Sequence, residues 1–397
     1  AKNRLTDVYL ALRETGKAEA YVDDVLKASP NNVTAHMNKG RIYLIKGDGV
    51  NAVSEFRTVV HDRPDYIPGY IGQADAHLLN RELELAAEVL KSGLKVNPES
   101  TDVLKKLAGV MILKKDYDTA QENLRRVIAI DPEDTWARAQ MGDILAREED
   151  YQAAGDAYRA ITRNVPKSPV GYLRMSRLYA RQQKPDLALA ELEEGYGANP
   201  DSIELLTTLV RACVAFKQPE KALAILDRRI EADPKDALAH GLKGWVYYQQ
   251  KEYGPAEAAL KTAIEIRPAW SAPYNDLARV YVDQGRKEEA VDRTRAALKV
   301  NPKNAYSWLF LGTLYQNDKD YRQAMETYEA ALKELPDFWV AANNLAFLLS
   351  ENSDDEKDYR RAVSLAEAAL KKQPSSPGIL DTLGLSLIHI SEPTRPF

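Results

Sequence analysis

The sequence predicts an all-α protein, a solenoid of stacked helix–turn–helix repeats. Prolines recur every 34 residues, at Pro30, Pro64, Pro98, Pro132, Pro166, Pro200, Pro234, Pro268, Pro302 and Pro336, with one more at Pro374 after a longer interval of 38. Twelve residues ahead of each stands an alanine: Ala18, Ala52, Ala86, Ala120, Ala154, Ala188, Ala222, Ala256, Ala290, Ala324 and Ala362. A third set, mostly tyrosine, holds its own place in the period at Tyr9, Tyr43, Tyr179, Tyr247, Tyr281 and Tyr315. A fixed period of this length is the mark of a repeat architecture, in which each unit is one supersecondary element.

Numbering each repeat so that its proline is position 32 gives ten consecutive repeats over 33–376, the last extended to 38 residues. Residues 1–32 form a partial repeat, and 377–385 open another. Position 32 marks the end of each second helix, because proline cannot continue a helix interior. The Asn or Asp before it, as in Asn97, Asp131, Asn199, Asp233 and Asn301, suits a turn. Position 20 is the place where the two helices cross, and a methyl group is what fits there; a larger side chain overpacks it. Position 8 is mostly small (Gly40, Ala74, Gly142, Gly244, Gly312) and is expected to face that alanine. Position 24 is bulky (Phe56, Leu90, Tyr158, Leu260, Tyr328). Positions 4, 8 and 11 fall on one stripe of the first helix and form the seam with the second. No repeat buries its apolar face alone, so stability comes from stacking.

At Trp308, Leu311, Gly312, Tyr315, Ala324, Tyr328 and Pro336 the chain resembles the tetratricopeptide repeat (TPR) consensus, and the resemblance runs over nearly the whole length. It implies a right-handed superhelix, with first helices lining a concave groove and second helices forming the outer wall. Residues 341–384 resemble more narrowly the terminal repeats of bacterial envelope TPR proteins, such as the lipoproteins of exosortase-linked exopolysaccharide systems, on Asn343, Asn344, Leu345, Ala346, Asp381, Thr382, Leu383 and Gly384. That likeness implies a periplasmic or outer-membrane-associated placement, with the cytoplasm as the alternative. The acidic insertion Asp354, Asp355, Glu356 reads as a solvated turn.

Composition narrows the function classes. The chain has 397 residues and a net charge of −5, with Lys plus Arg at 54 against Asp plus Glu at 59, which disfavours a phosphate-driven nucleic-acid partner. No apolar run approaches the length of about 18 residues that a membrane span needs. A single cysteine, Cys213, can close no intrachain disulfide and build no multi-cysteine zinc site; at position 11 it reads as a buried thiol. Of five histidines, His36 and His240 occupy position 4 and His77 position 11, all seam positions, which packing explains better than catalysis. No His-Glu-x-x-His pair, phosphate-cradling loop or nucleophile elbow is present. The expectation is a non-enzymatic scaffold with no cofactor, no metal and no catalytic residue. The alternative is the repeat arm of a larger enzyme such as a glycosyltransferase.

Binding is therefore expected on the first-helix stripe opposite the seam, positions 2, 5, 9 and 12, with 6 and 13 flanking. Arg147, Arg174, Arg177, Arg181 and Arg211 fall there, on neighbouring first helices roughly 10 Å apart, and make a basic patch suited to an acidic peptide segment or a C-terminal carboxylate. The competing reading is internal neutralisation, with Asp143 as the partner of Arg177. Downstream the stripe turns aromatic and amide-rich with Trp245, Tyr248, Asn275, Arg279, Tyr306, Phe310, Asn343, Asn344 and Phe347. Aromatic residues and arginine dominate binding hot spots. Trp245 and Tyr248 are expected to be exposed, whereas Phe310 and Phe347 are expected to pack on the adjacent repeat. The Lys/Asn carboxylate clamp of chaperone-binding TPR proteins is absent, since position 5 runs Asn3, Met37, Ile71, Lys105, Ala139, Leu173. The position-6 asparagine ladder of the glycosyl-transferring members is reduced to Asn38 and Asn344. Self-association through uncovered end repeats is a further expected partner mode. Ser386–Phe397 resembles a translated sequencing-adapter remnant and is expected to be non-native, because the count would place Pro396 where alanine otherwise stands.

Overall fold

A computed structural model describes residues 2–353 and 355–391. Among these residues there are 23 α-helices and no strand. In chain order they are α1 (Lys2–Ala11), α2 (Thr15–Ala28), α3 (Val33–Lys46), α4 (Gly49–Asp62), α5 (Ile67–Leu79), α6 (Leu83–Val96), α7 (Thr101–Lys114), α8 (Tyr117–Ile130), α9 (Thr135–Arg147), α10 (Tyr151–Asn164), α11 (Pro169–Arg181) and α12 (Pro185–Ala198). They continue as α13 (Ile203–Ala215), α14 (Pro219–Ala232), α15 (Ala237–Gln249), α16 (Tyr253–Ile266), α17 (Ala272–Asp283), α18 (Lys287–Val300), α19 (Ala305–Asn317), α20 (Tyr321–Glu334), α21 (Trp339–Asn352), α22 (Glu356–Lys372) and α23 (Pro377–Ser391). Odd-numbered helices are the first helices of repeats and even-numbered ones the second. The chain forms two compact units, residues 1–208 and 209–397, and the boundary falls inside α13. Within each unit a second helix packs on its own first helix and on the first helix of the next repeat, as α4 does on α3 and α5, or α16 on α15 and α17.

The expected register is present at the atomic level. All eleven position-20 alanines are 0% exposed. The position-8 glycines meet first of all the bulky side chain at position 24. A Cβ on Gly40 would lie 2.7 Å from the Phe56 ring, on Gly142 2.3 Å from Tyr158, on Gly244 2.6 Å from Leu260 and on Gly312 2.4 Å from Tyr328. Position 8 is small chiefly because the bulky position-24 side chain lies across it; at Gly244 a Cβ would also lie 3.2 Å from the carbonyl of the position-20 alanine, Ala256.

Each element is closed by local chemistry. The second helices end two residues ahead of the proline, as at Asp62, Val96 and Val300. The Asx side chain at position 31 then accepts from the backbone two residues on: Asn97 from Glu99 at 3.1 Å, Asp131 from Glu133 at 3.0 Å, Asn301 from Lys303 at 3.1 Å. Side chains at position 4 donate to the preceding proline carbonyl: Tyr70 to Pro64 at 3.0 Å, Arg138 to Pro132 at 2.8 Å, Trp308 to Pro302 at 2.7 Å. His36 and His240 lie 2.6 and 3.1 Å from the equivalent carbonyls of Pro30 and Pro234, which gives both histidines a structural place. First helices are N-capped by Asn32, Asp134 and Asp236, and second helices by Asp48, Asp116, Asp150 and Asp320. The intervening turn carries a left-handed residue at position 15 in ten repeats: Gly47 and Gly285, but otherwise Arg13, Arg81, Lys115, Glu149, Gln183, Lys217, Lys251 and Lys319.

Two expectations near the C-terminal end change. The insertion lengthens the second helix as well as the turn: α22 begins at Glu356 and Asp355 caps it by accepting from Lys357 at 2.9 Å. Asp354 lies outside the described residues. The helix α23 runs past 385 to Ser391, and Ser386 is buried, hydrogen-bonded to Ser350 and to the Thr382 carbonyl. The stretch 392–397, with Pro396, lies outside the described residues. Cys213 is buried, as expected of a structural thiol.

Candidate functional site on the first-helix face

The arginines named from the sequence divide into three kinds. Arg174 is neutralised: its Nε lies 3.0 Å from both carboxylate oxygens of Asp143, which also accepts from the Tyr158 hydroxyl at 2.8 Å. The partner of Asp143 is thus Arg174, not Arg177, because position 6 of one repeat meets position 9 of the one before. Burial and Asp143 together hold the Tyr158 phenol well above its ordinary range. Arg147, Arg181 and Arg211 are exposed and lay their guanidinium faces on rings, over Tyr117 at 5.3 Å, Tyr151 at 5.8 Å and Trp245 at 5.3 Å. Their N–H edges have no hydrogen-bond partner among the described residues. Arg177 is exposed and has neither ring nor ion-pair partner among them. Cation–π seating fixes a guanidinium plane and leaves its fork free for a carboxylate. Arg147, Arg174, Arg177 and Arg181 belong to residues 1–208, whereas Arg211 belongs to 209–397.

In the second unit, Arg279 donates from Nε to the Tyr306 hydroxyl at 2.6 Å and lies 5.0 Å over that ring, which stacks on Phe310 at 5.7 Å. Trp245 and Tyr248 are half-buried rather than fully exposed, Tyr248 resting in the apolar cluster around Tyr281. Burial, with a hydrogen bond to Asp283, pushes the Tyr248 phenol up to about 12. Phe310 packs on that same cluster, as expected, but Phe347 is 43% exposed. Asn275 is buried at 7% exposure and accepts from Ser307 at 2.8 Å, so it braces α17 against α19. Asn344 donates to the Tyr328 hydroxyl at 3.2 Å, while the neighbouring Asn343 Oδ1 is buried without a partner among the described residues.

Two features escaped the reading of the sequence. One is a cavity of about 450 Å³ on α5, α7 and α9, lined by Leu78, Lys105, Lys106, Gly109, Leu113 and Trp136. It exists because Gly109 puts no side chain at position 9, where a Cβ would meet nothing within 4 Å. The other is Asp276, half-buried at position 6 of α17. Burial pushes its carboxyl up to about 6, against the lowering influence of Arg279 and Arg211. Among the described residues no group of three or more His, Cys, Asp or Glu is arranged to hold a metal. No described helix is long and apolar enough to cross a membrane.

Models described as tetratricopeptide repeat match residues 4–67 and 275–346, 111–174 and 179–246, and 237–269. This chain belongs to the tetratricopeptide repeat family. Tandem TPR arrays generally act as scaffolds for protein interaction. The chain is 27% identical over 135 residues to anaphase-promoting complex subunit 3 of Schizosaccharomyces pombe, covering 34% of this chain and 20% of that protein. It is 25% identical over 153 residues to the protein O-mannosyl-transferase TMTC1 of Mus musculus, covering 38% of this chain and 16% of that one. The TPR segment thus spans about a fifth of the length of these curated relatives. The crystal structure of yeast Tom70 covers 99% of this chain and 96% of its own, at 13% identity and a TM-score of 0.49.

Proposed function

We propose that this TPR array holds an extended partner segment along its first-helix face and grips acidic side chains of that segment with arginine forks. The observation that carries the reading is the seating of Arg147 and Arg181, within residues 1–208, whose planes rest on Tyr117 and Tyr151 while their N–H edges stay open; within residues 209–397 Arg211 is seated on Trp245 in the same way. An arginine already held by a ring loses less freedom on pairing than a free one. Exposed Arg177 adds charge between the first two, whereas Arg174 is spent on Asp143. The resemblance of residues 341–384 to envelope repeats favours a partner from a bacterial envelope or sorting system. A second reading, the repeat arm of a larger glycosyl-transferring enzyme, is favoured by the likeness to TMTC1.

The test is titration of a fluorescent glutamate-rich peptide, with a lysine-rich peptide as control, at several salt concentrations. The expected result is binding of the acidic peptide alone, weakened by salt. Charge reversal at Arg177 and Arg211 together should lower both the affinity and its salt dependence without changing helicity. Unchanged affinity in that double variant removes the arginine forks from the account.

A further inference from the structure

Within residues 209–397 the first-helix face carries a half-buried carboxylate, Asp276, that the fold does not use. Asp276 stands at position 6 of α17, a place occupied by Leu242 in the repeat before and by Phe310 in the repeat after. It makes no hydrogen bond or ion pair with any described residue. Its neighbours Arg211 and Arg279 are near enough for their charges to act on it, yet neither forks it. Each has its plane committed elsewhere, Arg211 to Trp245 at 5.3 Å and Arg279 to Tyr306 at 5.0 Å, the latter also through its Nε. A half-buried carboxylate with no protein donor is partly desolvated, and a donor brought by a ligand relieves that cost.

The charges along this face therefore alternate, with the cation Arg211, the anion Asp276 and the cation Arg279 set among Trp245, Tyr306 and Phe310. We propose that Asp276 is the recognition site for one cationic side chain, an arginine or lysine of the partner segment, flanked in that segment by acidic residues that meet Arg211 and Arg279. A guanidinium fits best, since its planar fork matches the carboxylate. The site rests on the reading that this face binds a partner segment, and it adds to that reading a sequence preference: acid, base, acid.

The charge on Asp276 sets a pH window. Burial places its carboxyl near 6, so a cation-binding Asp276 is ionised above that pH and neutral below it. The charged groups that act on it are Arg211 on α13 and Arg279 on α17. Around Arg279 stand Tyr306 on α19 and Tyr248 on α15, whose phenol, hydrogen-bonded to Asp283 of α17, is pushed up to about 12. Ligand glutamates lose their charge near pH 4, below the window.

The experiment uses the full chain and two synthetic peptides, one with an arginine between two glutamates and one with glutamine in place of the arginine. Fluorescence anisotropy should show the arginine peptide binding roughly tenfold more tightly at pH 7.5. That advantage should vanish in Asp276→Asn and should fade in the wild type as the pH drops through 6. Asp276→Asn keeps the shape of the side chain, and a thermal melt checks that it folds. Equal affinity for the two peptides, or an arginine advantage that survives Asp276→Asn, overturns the site. A parallel Arg211→Glu, Arg279→Glu variant separates the two readings. If it loses both peptides while Asp276→Asn changes nothing, the acidic-segment reading stands and the Asp276 site falls.

Discussion

The same substitution, glycine to alanine, should change stability in opposite directions at two neighbouring repeats. Gly109 and Gly142 both lie inside first helices, α7 and α9. Replacing a helix-interior glycine by alanine ordinarily stabilises by about 0.5–1 kcal/mol, because the unfolded chain loses freedom it would otherwise regain. At Gly109 nothing opposes that gain, since the new methyl has no neighbour within 4 Å. At Gly142 the methyl would lie 2.3 Å from Cε1 of Tyr158, a ring that is 3% exposed and hydrogen-bonded to Asp143 at 2.8 Å. The ring cannot swing aside without breaking that bond and disturbing the Asp143–Arg174 pair. Overpacking of this kind costs about 1–3 kcal/mol, and the 2.3 Å approach to a pinned ring puts this site at the upper end, so Gly142→Ala should be destabilising by up to about 2.5 kcal/mol after the helix gain is subtracted. Urea unfolding followed by circular dichroism reads both variants. With slopes of about 2–3 kcal/mol per molar, the midpoint should rise by a few tenths molar for Gly109→Ala and fall by a similar or larger amount for Gly142→Ala. A repeat array can unfold in segments, so the comparison belongs to the transition of residues 1–208. Midpoints that move the same way in both variants would refute the assigned contact between positions 8 and 24.

Two other outcomes follow from the packing and the charges. Ala188→Leu places a branched side chain at a 0% exposed crossing point, and should lower the melting temperature through about 1–3 kcal/mol of overpacking while peptide binding is retained; an unaltered melt contradicts the register. Glu257 is held at about 2, chiefly by hydrogen bonds from Arg286 with Lys261 and Tyr281 adding to them. Its folded pKa lies below its unfolded value, so its contribution is present above about pH 4.5 and is lost as the pH falls from there towards 2; Glu257→Gln should flatten the melting temperature over that range, and an acid profile identical to wild type would show that the network adds nothing.

The proposed binding face was only partly legible. Position numbers alone put Arg147, Arg177, Arg181 and Arg211 on the outward stripe, and the structure leaves their forks open. The same numbers put Arg174 there too, without showing that a side chain at position 6 reaches back to position 9 of the preceding repeat and takes Asp143. Asn275 was misjudged for a related reason: its face of α17 is closed by Ser307 of α19, a neighbour 32 residues on. Asp276 carried no signal, because a lone Asp in a stripe of mixed residues looks like any solvated charge until its burial is known.

The sequence by itself determined the fold family and the places of the helix crossings. Those follow from local and periodic constraints: proline stops a helix wherever it stands, and a buried crossing admits only alanine. The left-handed residue at position 15 shows the limit of that logic. Gly47 and Gly285 announce it, but Lys115, Lys217 and Lys251 adopt the same backbone because the stacked helices on either side impose it. Which arginines stay free, which asparagine is sealed in and which carboxylate is left without a donor were decided by tertiary structure alone. Each of those outcomes depends on side chains brought together from different repeats, and a single-letter pattern carries no information about how far a side chain reaches.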